Sequence, residues 1–290
     1  MPTPLLFLLH ADPSGEVDGV ERVDPALPQV SASDLSATRG DGVFESIGVF
    51  EGRPQAVEMH LARFARSSAM LDLPAPDLDA WRRLVLGTAA EVADEPHVLL
   101  KLIWSRGDEF GDRPTGWLHA FAMPDHTAEH EEGIRVVTLD RGYRSDVAET
   151  SPWLLQGAKT LSYAVNKAAL REAERRGADD VVFVSTDGVV LEGPNSTVVA
   201  LVDGVLVSTP PALGVLEGTT QLDLFAWAEE QGRPTALRAL GVDELRRASG
   251  LWLTSSGRLL APVVSLDGEA LATDAAFTRA AVEHLRSRTR

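Results

Sequence analysis

The sequence contains no cysteine, which removes disulfides, thiolate nucleophiles and zinc-thiolate centres together and agrees with a reducing compartment. It also lacks an apolar run long enough to span a bilayer. The N-terminal MPTPLLFLLHADPSG has a short apolar core and no basic flank, so it makes a poor signal peptide and a plausible first strand. A soluble protein that stays in the cytoplasm is expected. Positive charge is scarce as well: 27 Lys and Arg against 43 Asp and Glu leave a net charge of −16. That excess repels a nucleic-acid backbone and an anionic membrane surface, and neither is an expected partner. There is no G-x-S-x-G elbow and no H-E-x-x-H spacing. His126, Glu129 and His130 cluster in a polar connecting stretch, where a solvated loop is the better reading, so no metal centre is expected. The glycines of RGDGVFE do not match a nucleotide fingerprint and read as tight-turn residues.

Lysine is scarcer still. Only Lys101, Lys159 and Lys167 stand among the 27 basic residues. A nucleotide bias at the gene level would account for the scarcity, but not for the positions.

What remains is ordinary globular material, with 44% hydrophobic and 24% charged residues over 290, enough for one large or two modest domains. RGDGVFESIGVFEGRPQAVEMH predicts strand, Glu-Gly turn, strand. EMHLARFARSSAMLDLP carries apolar residues near helical spacing and stops at Pro74, and DLDAWRRLVLGTAAEVA predicts a second helix. Strands follow at PHVLLKLIWSRG and GWLHAFAMP. The polar, acidic PDHTAEHEEG is the expected linker, residues 124–133, after a small α+β domain of residues 1–123. A larger, strand-rich domain with flanking helices is expected over 134–290. It opens on the strand IRVVTLD, a loop carrying Lys159, and a helix from about Ser162 to Arg176 closed by Gly177. Then DDVVFVSTDGVVLEG, STVVALVDGVLVSTP and LWLTSSGRLLAPVVSLDG read as apolar strands joined by turns, with Asp-Gly the strongest hairpin signal. Helices are expected at GTTQLDLFAWAEEQG and DAAFTRAAVEHLRSR. The fold class is mixed α/β, in an α+β two-domain arrangement.

Taken singly, Lys159 in QGAKTLSY and Glu192 in VVLEGPNST would pass as exposed charges at element ends. Together with their surroundings they form a pattern. RGDGVFES, HLARF, GAKTLSYAVNKAAL, LEGPNSTV, LEGTTQ and TSSGRLLAPV occur in the order found in the fold-type IV, or class IV, pyridoxal-phosphate enzymes, which the chain resembles over nearly its whole length. That family includes branched-chain and D-amino acid aminotransferases and 4-amino-4-deoxychorismate lyases.

The resemblance implies pyridoxal 5'-phosphate as cofactor and a homodimer as the assembly. Lys159 would condense with the cofactor aldehyde and, once displaced by a substrate amine, act as the acid-base group. Glu192 would keep the pyridine nitrogen protonated; such a pair at an effective dielectric near 20 is worth on the order of several kcal/mol. Arg63, from the H-x-x-R spacing of HLARF, would fork onto the phosphate, while Arg66 one turn on reads as surface. Thr219 and Thr220 would offer a helix N-terminus to the same phosphate, with an ordinary threonine cap as the plain alternative. Ser256 would add a hydroxyl. The lysine and S-R-G turn of VLLKLIWSRG resemble the lyases, so Lys101, Arg106 and Arg258 would bind a substrate with two carboxylates. The first expectation is therefore aminodeoxychorismate cleavage to pyruvate and 4-aminobenzoate, a folate precursor. Ser255, where many lyases carry asparagine, points the other way, to a transaminase of D-amino or branched-chain amino acids or to both activities. Tyr163, four residues after Lys159, carries no assigned role.

Overall fold

The computed structural model describes residues 4–288. They divide into two units. The first holds the chain to Pro124 together with Ala158–Tyr163 and Arg288, and the second holds Asp125–Gly157 and Ala164–Ser287.

The first unit is a sheet with two helices over one face. Its strands are β1 (Leu5–Ala11), β2 (Val17–Val23), β3 (Gly42–Phe50), β4 (Arg53–Pro54), β5 (His97–Ser105) and β6 (Thr115–Ala122), in the order β2-β1-β6-β5-β3-β4. A four-residue helix α1 (Leu35–Thr38) precedes β3, and α2 (Val57–Met70) and α3 (Leu78–Glu91) lie in the β4–β5 connection. Glu51 and Gly52 both take positive φ in the predicted Glu-Gly turn, a two-residue hairpin loop of the favoured hand. Strand periodicity sorts β3 into two faces. Val43, Glu45, Ile47 and Val49 are buried with Leu100, Leu102 and Leu118 of the neighbouring strands, under Leu61 and Phe64 of α2 and Trp81 of α3. Phe64 meets Trp81 edge-on at 5.4 Å and Trp81 meets Trp104 at 6.3 Å. The opposite face carries Phe44, Ser46, Lys101 and His119.

The second unit contains α4 (Thr127–Glu132), β7 (Ile134–Asp140), α5 (Val147–Thr150), α6 (Ala164–Arg175), β8 (Asp180–Val184), β9 (Thr197–Val202), β10 (Val205–Ser208) and α7 (Thr219–Glu230). It continues with β11 (Thr235–Leu237), α8 (Val242–Arg247), β12 (Gly250–Ser255), β13 (Leu259–Leu266), β14 (Glu269–Ala270) and α9 (Ala275–Ser287). The sheet runs β11-β10-β9-β12-β13-β7-β8, with β14 on β13. Its β9–β10 and β12–β13 pairs are the predicted hairpins, the first closed by Asp203-Gly204 at φ 50° and 82°. In the third predicted hairpin Val189 and Val190 form isolated bridges to Gly241 and Val184, and Leu191 and Glu192 bond Phe183 of β8 through the backbone without forming a regular strand. Val182, Val198, Ala200, Leu251, Leu253 and Val263 form the centre of its core.

Two segments differ from the domain expectation. The stretch 124–133 is not a bare linker, because Thr127–Glu132 is helical. The Asp125 carboxylate accepts from the Thr127 amide, and His126 Nδ1 lies 2.7 Å from Glu129, so local side chains tie down the helix start. Residues Ala158–Tyr163, placed by sequence inside the larger domain, group with the first unit. They extend its sheet at the edge of β3: Phe44 N donates to Lys159 O at 3.0 Å and Leu161 N to Gly42 O at 2.8 Å. Among the described residues no helix is long and apolar enough to cross a membrane.

Candidate active site

In the first unit the lysine loop is held from two sides. Its backbone pairs with β3, and the Lys159 amide donates to Ser67 Oγ of α2 at 3.1 Å. The side chain then lies on the half-open face of the sheet, with Nζ 4.4 Å from the centroid of the Phe44 ring. Lys101, on β5, brings its own Nζ to 5.3 Å from the same ring. Tyr163 packs edge-on against Phe44 at 5.4 Å, which gives it a supporting contact that sequence left unassigned. Two of the three lysines thus meet on one aromatic ring, while Lys167 is exposed on α6. An ammonium over a ring gains from about 0.5 to 2 kcal/mol as water is removed. The scarce residue is concentrated where an amine can react.

On the buried face of the same strand, one residue away, stands a feature the sequence reading missed. Glu45 is fully enclosed and receives Arg63 Nε at 2.6 Å and Arg63 Nη2 at 2.7 Å. His60 Nδ1 lies 2.7 Å from the same carboxylate. Burial would raise the Glu45 carboxyl, but the Arg63 guanidinium and His60 outweigh it and hold the group well below the ordinary value. His60 is itself shifted downward, first by burial, so it stands as a neutral imidazole donating Nδ1–H. His60, Arg63 and Ser67 recur along α2 at three- and four-residue spacing, one stripe facing β3. That spacing was visible in HLARFARSS; the partner carboxylate on a strand was not.

In the second unit, Glu192 follows the Val189–Val190 bridges. Its backbone is fixed by Phe183 N donating to Glu192 O at 2.8 Å, and its Oε2 accepts from Leu216 N at 3.1 Å. Tyr143 lies near enough that burial, and secondarily the Glu192 charge, push its hydroxyl upward. Tyr143 donates to Gln156 Oε1, and Arg141 stacks over Tyr143 and Phe183. Thr219 and Thr220 open α7, and both are buried. Gly218 precedes them, with no side-chain cap, and a Cβ there would sit 2.3 Å from Thr197 Oγ1. Only glycine lets the backbone approach this closely. Two buried polar atoms, Ser196 Oγ next to Thr197 in sequence and Gln221 Nε2 in the first turn of α7, have no hydrogen-bond partner. Buried polar groups are seldom left so, and an uncapped helix start with orphaned polar atoms suits an anionic ligand such as a phosphate ester.

The remaining expected residues fare differently. Ser256 lies in the turn joining β12 to β13. Arg106 donates Nε to Asp41 at 2.6 Å and its terminal nitrogens to the Leu71 and Asp72 carbonyls, so its fork ties the S-R-G turn to RGDG and to the end of α2. Arg258 donates to Asp180 at 2.7 Å and to Glu129 at 3.2 Å, while His130 Nε2 lies 2.6 Å from the Arg258 carbonyl. Both arginines therefore serve as internal clamps. Lys101 alone of the three expected substrate cations shares a ring with Lys159.

Residues 42–266 match the model of the amino-transferase class IV family. The chain belongs to the class IV aminotransferases, fold-type IV enzymes that use pyridoxal 5'-phosphate. It is 47% identical over 267 residues to the bifunctional aminodeoxychorismate lyase / D-amino acid transaminase of Mycobacterium tuberculosis, covering 88% of this chain and 91% of that one. A fold IV transaminase structure from Curtobacterium pusillum superposes with TM-score 0.94 at 50% identity, covering 99% of this chain and all of the other. A hypothetical aminotransferase from Mycobacterium tuberculosis, in an alpha-ketoglutarate and PMP bound form, gives TM-score 0.90 at 43% identity over 97% of this chain and 99% of that one.

Proposed function

We propose that the protein is a 4-amino-4-deoxychorismate lyase that also transaminates D-amino acids, using one amine for both reactions. The observation that carries this reading is the pairing of Lys159 and Lys101 on the Phe44 ring: a reactive amine with a second cation that suits the carboxylates of aminodeoxychorismate. Similarity to a bifunctional enzyme of that description supports it. By family resemblance the enzyme works as a cytoplasmic homodimer supplying a folate precursor.

The cofactor supplies a cationic, electron-accepting ring conjugated to the substrate's amino group. Lys159 would hold the cofactor through Nζ, and the same amine would take the proton from the carbon bearing the substrate's amino group. Glu192, its carboxylate fixed by the Leu216 amide, would keep the ring nitrogen protonated. By the family resemblance, Thr219, Thr220 and Ser256, with the α7 N-terminus, would hold the phosphate, and Arg63, oriented by Glu45, would add its charge. In the lyase reaction the ring would lose that proton and, from the neighbouring carbon, its enolpyruvyl group, which takes up a proton to leave as pyruvate, so the ring becomes aromatic and no acceptor is needed. In transamination the same nitrogen would carry that proton onward, and a keto acid would be needed as the acceptor.

Incubating the cofactor-loaded protein with aminodeoxychorismate is expected to yield pyruvate and 4-aminobenzoate in equal amounts. D-Alanine alone is expected to convert the cofactor's aldehyde absorbance to that of the pyridoxamine form. A protein that gives the second result without the first is a transaminase only, and the lyase reading is then discarded.

A further inference from the structure

The polar cluster His126, Glu129 and His130 has no part in the mechanism above, yet the second unit closes it around Arg258. The Arg258 guanidinium donates to Asp180 at the start of β8 at 2.7 Å and to Glu129 of α4 at 3.2 Å, and Glu129 lies 2.7 Å from His126 Nδ1. The main chain of Arg258 is tied as well. Its amide donates to Ser255 Oγ at 3.3 Å, and its carbonyl accepts from His130 Nε2 at 2.6 Å, burial first among the causes that hold that imidazole below its ordinary value and so neutral. A largely buried ion network often adds little net stability over apolar side chains of the same volume, but it does fix a geometry. The geometry fixed here is that of the turn 256–258 between β12 and β13. This turn is strained: Leu259, at its end, is buried with φ 65°, a left-handed conformation that leucine rarely takes and that persists only where the surroundings impose it. Such over-determined positions gather at ligand clamps. Ser256 stands in this one.

We propose that Arg258 is a positioning residue for the cofactor phosphate: gripped by Asp180, Glu129 and His130, it holds the β12–β13 turn in the form in which Ser256 meets the phosphate. This rests on reading Ser256 as a phosphate ligand. Arg258 acts through the backbone of the turn, since its guanidinium is bonded to carboxylates of β8 and α4. The short helix α4 is then more than a connection, because Glu129 takes the guanidinium and His130 the carbonyl of one residue. Loss of this grip loosens the hold on the phosphate and leaves the reaction of the aldehyde with Lys159 as it was.

The test titrates the full chain, freed of cofactor, with pyridoxal 5'-phosphate and with pyridoxal, which keeps the aldehyde and lacks the phosphate, following Schiff-base absorbance. The ratio of the two Kd values isolates the hold on the phosphate. Ser256→Ala is expected to lower that advantage by about tenfold, as for one hydrogen bond to a charged group, and Arg258→Met by a similar factor, with pyridoxal affinity unchanged in each. Because both act on one contact, the double variant should lose little more than either single one, and the phosphorus NMR resonance of the bound cofactor should move the same way in both. His130→Leu removes only the hydrogen bond to the Arg258 carbonyl and is expected to lower the advantage by about threefold. His130→Gln, whose amide donates to the same carbonyl, should restore it. Equal weakening of both ligands in Arg258→Met marks a merely structural residue and overturns the proposal, as does an unchanged advantage. If Arg258→Met leaves Asp180 buried without its cation and does not fold, the His130 variants decide: no loss in His130→Leu, or no recovery in His130→Gln, overturns it. If Ser256→Ala itself leaves the advantage untouched, the reading of Ser256 fails and the positioning role falls with it. A loss in Ser256→Ala that Arg258→Met does not share removes the positioning role alone.

Discussion

At the scale of single residues, Lys159 is distinguished less by its charge than by what fixes it: two backbone hydrogen bonds, to Phe44 and to Ser67, and one aromatic ring under its ammonium. Lys159→Ala is expected to lower lyase and transaminase rates together by about a hundredfold to ten-thousandfold, the usual worth of a positioned acid-base group. Borohydride reduction followed by mass spectrometry should then show the cofactor's added mass on the wild type and not on the variant. Separate fates for the two activities would mean that two different groups perform them. Sequence made Lys159 conspicuous through scarcity and Glu192 through its motif. It could not reveal that Arg106 and Arg258 are tied to carboxylates, since their partners Asp41, Asp180 and Glu129 lie 65, 78 and 129 positions away.

At the scale of elements, β3 and α2 work as a pair. Alternation along β3 sends Phe44 to the lysine and Glu45 to Arg63, so one strand serves both faces of its sheet. Glu45→Leu leaves the Arg63 charge buried without its carboxylate and is expected to destabilise the protein by about 3–5 kcal/mol in chemical denaturation. Adding Arg63→Met should return a large part of that loss; a double variant no better than the single one would mean the pair is not coupled. Acid should act on the same network. His60 is held below 6.5, so its neutral form stabilises the fold above that pH and the contribution fades as pH falls through it. Glu45 is held below 4.5, and its contribution is present above 4.5 and lost further into acid. Thermal melts should therefore be flat above neutrality and decline in two stages below it. In the second unit, Gly218→Ala drives a methyl group into Thr197 and is expected to cost about 1–3 kcal/mol and to weaken cofactor retention, read by dialysis and absorbance. The two-residue turns at Glu51-Gly52 and Asp203-Gly204 were legible because positive φ has a residue signature. The helix of Thr127–Glu132 was hidden because its six residues are polar and leave no apolar stripe to read.

At the scale of the whole molecule, the cofactor is a ligand of the folded state alone. Its removal should lower Tm, and readdition at about a hundredfold over Kd should restore about 2.7 kcal/mol, measured by scanning fluorimetry. A Tm indifferent to pyridoxal 5'-phosphate would contradict the assignment of Lys159, Glu192 and the α7 turn to it. Most strands, the longer helices, the mixed α/β class and, through the family's short motifs, the cofactor class were legible in the sequence itself, because periodicity, turn chemistry and short motifs are local properties. Tertiary structure alone decided that the lysine loop joins the N-terminal sheet, that Glu45 fixes Arg63, and that two arginines serve as clamps. Each of these is a pairing across long sequence separation, set by strand register and by which buried charges find partners, and no local pattern encodes it.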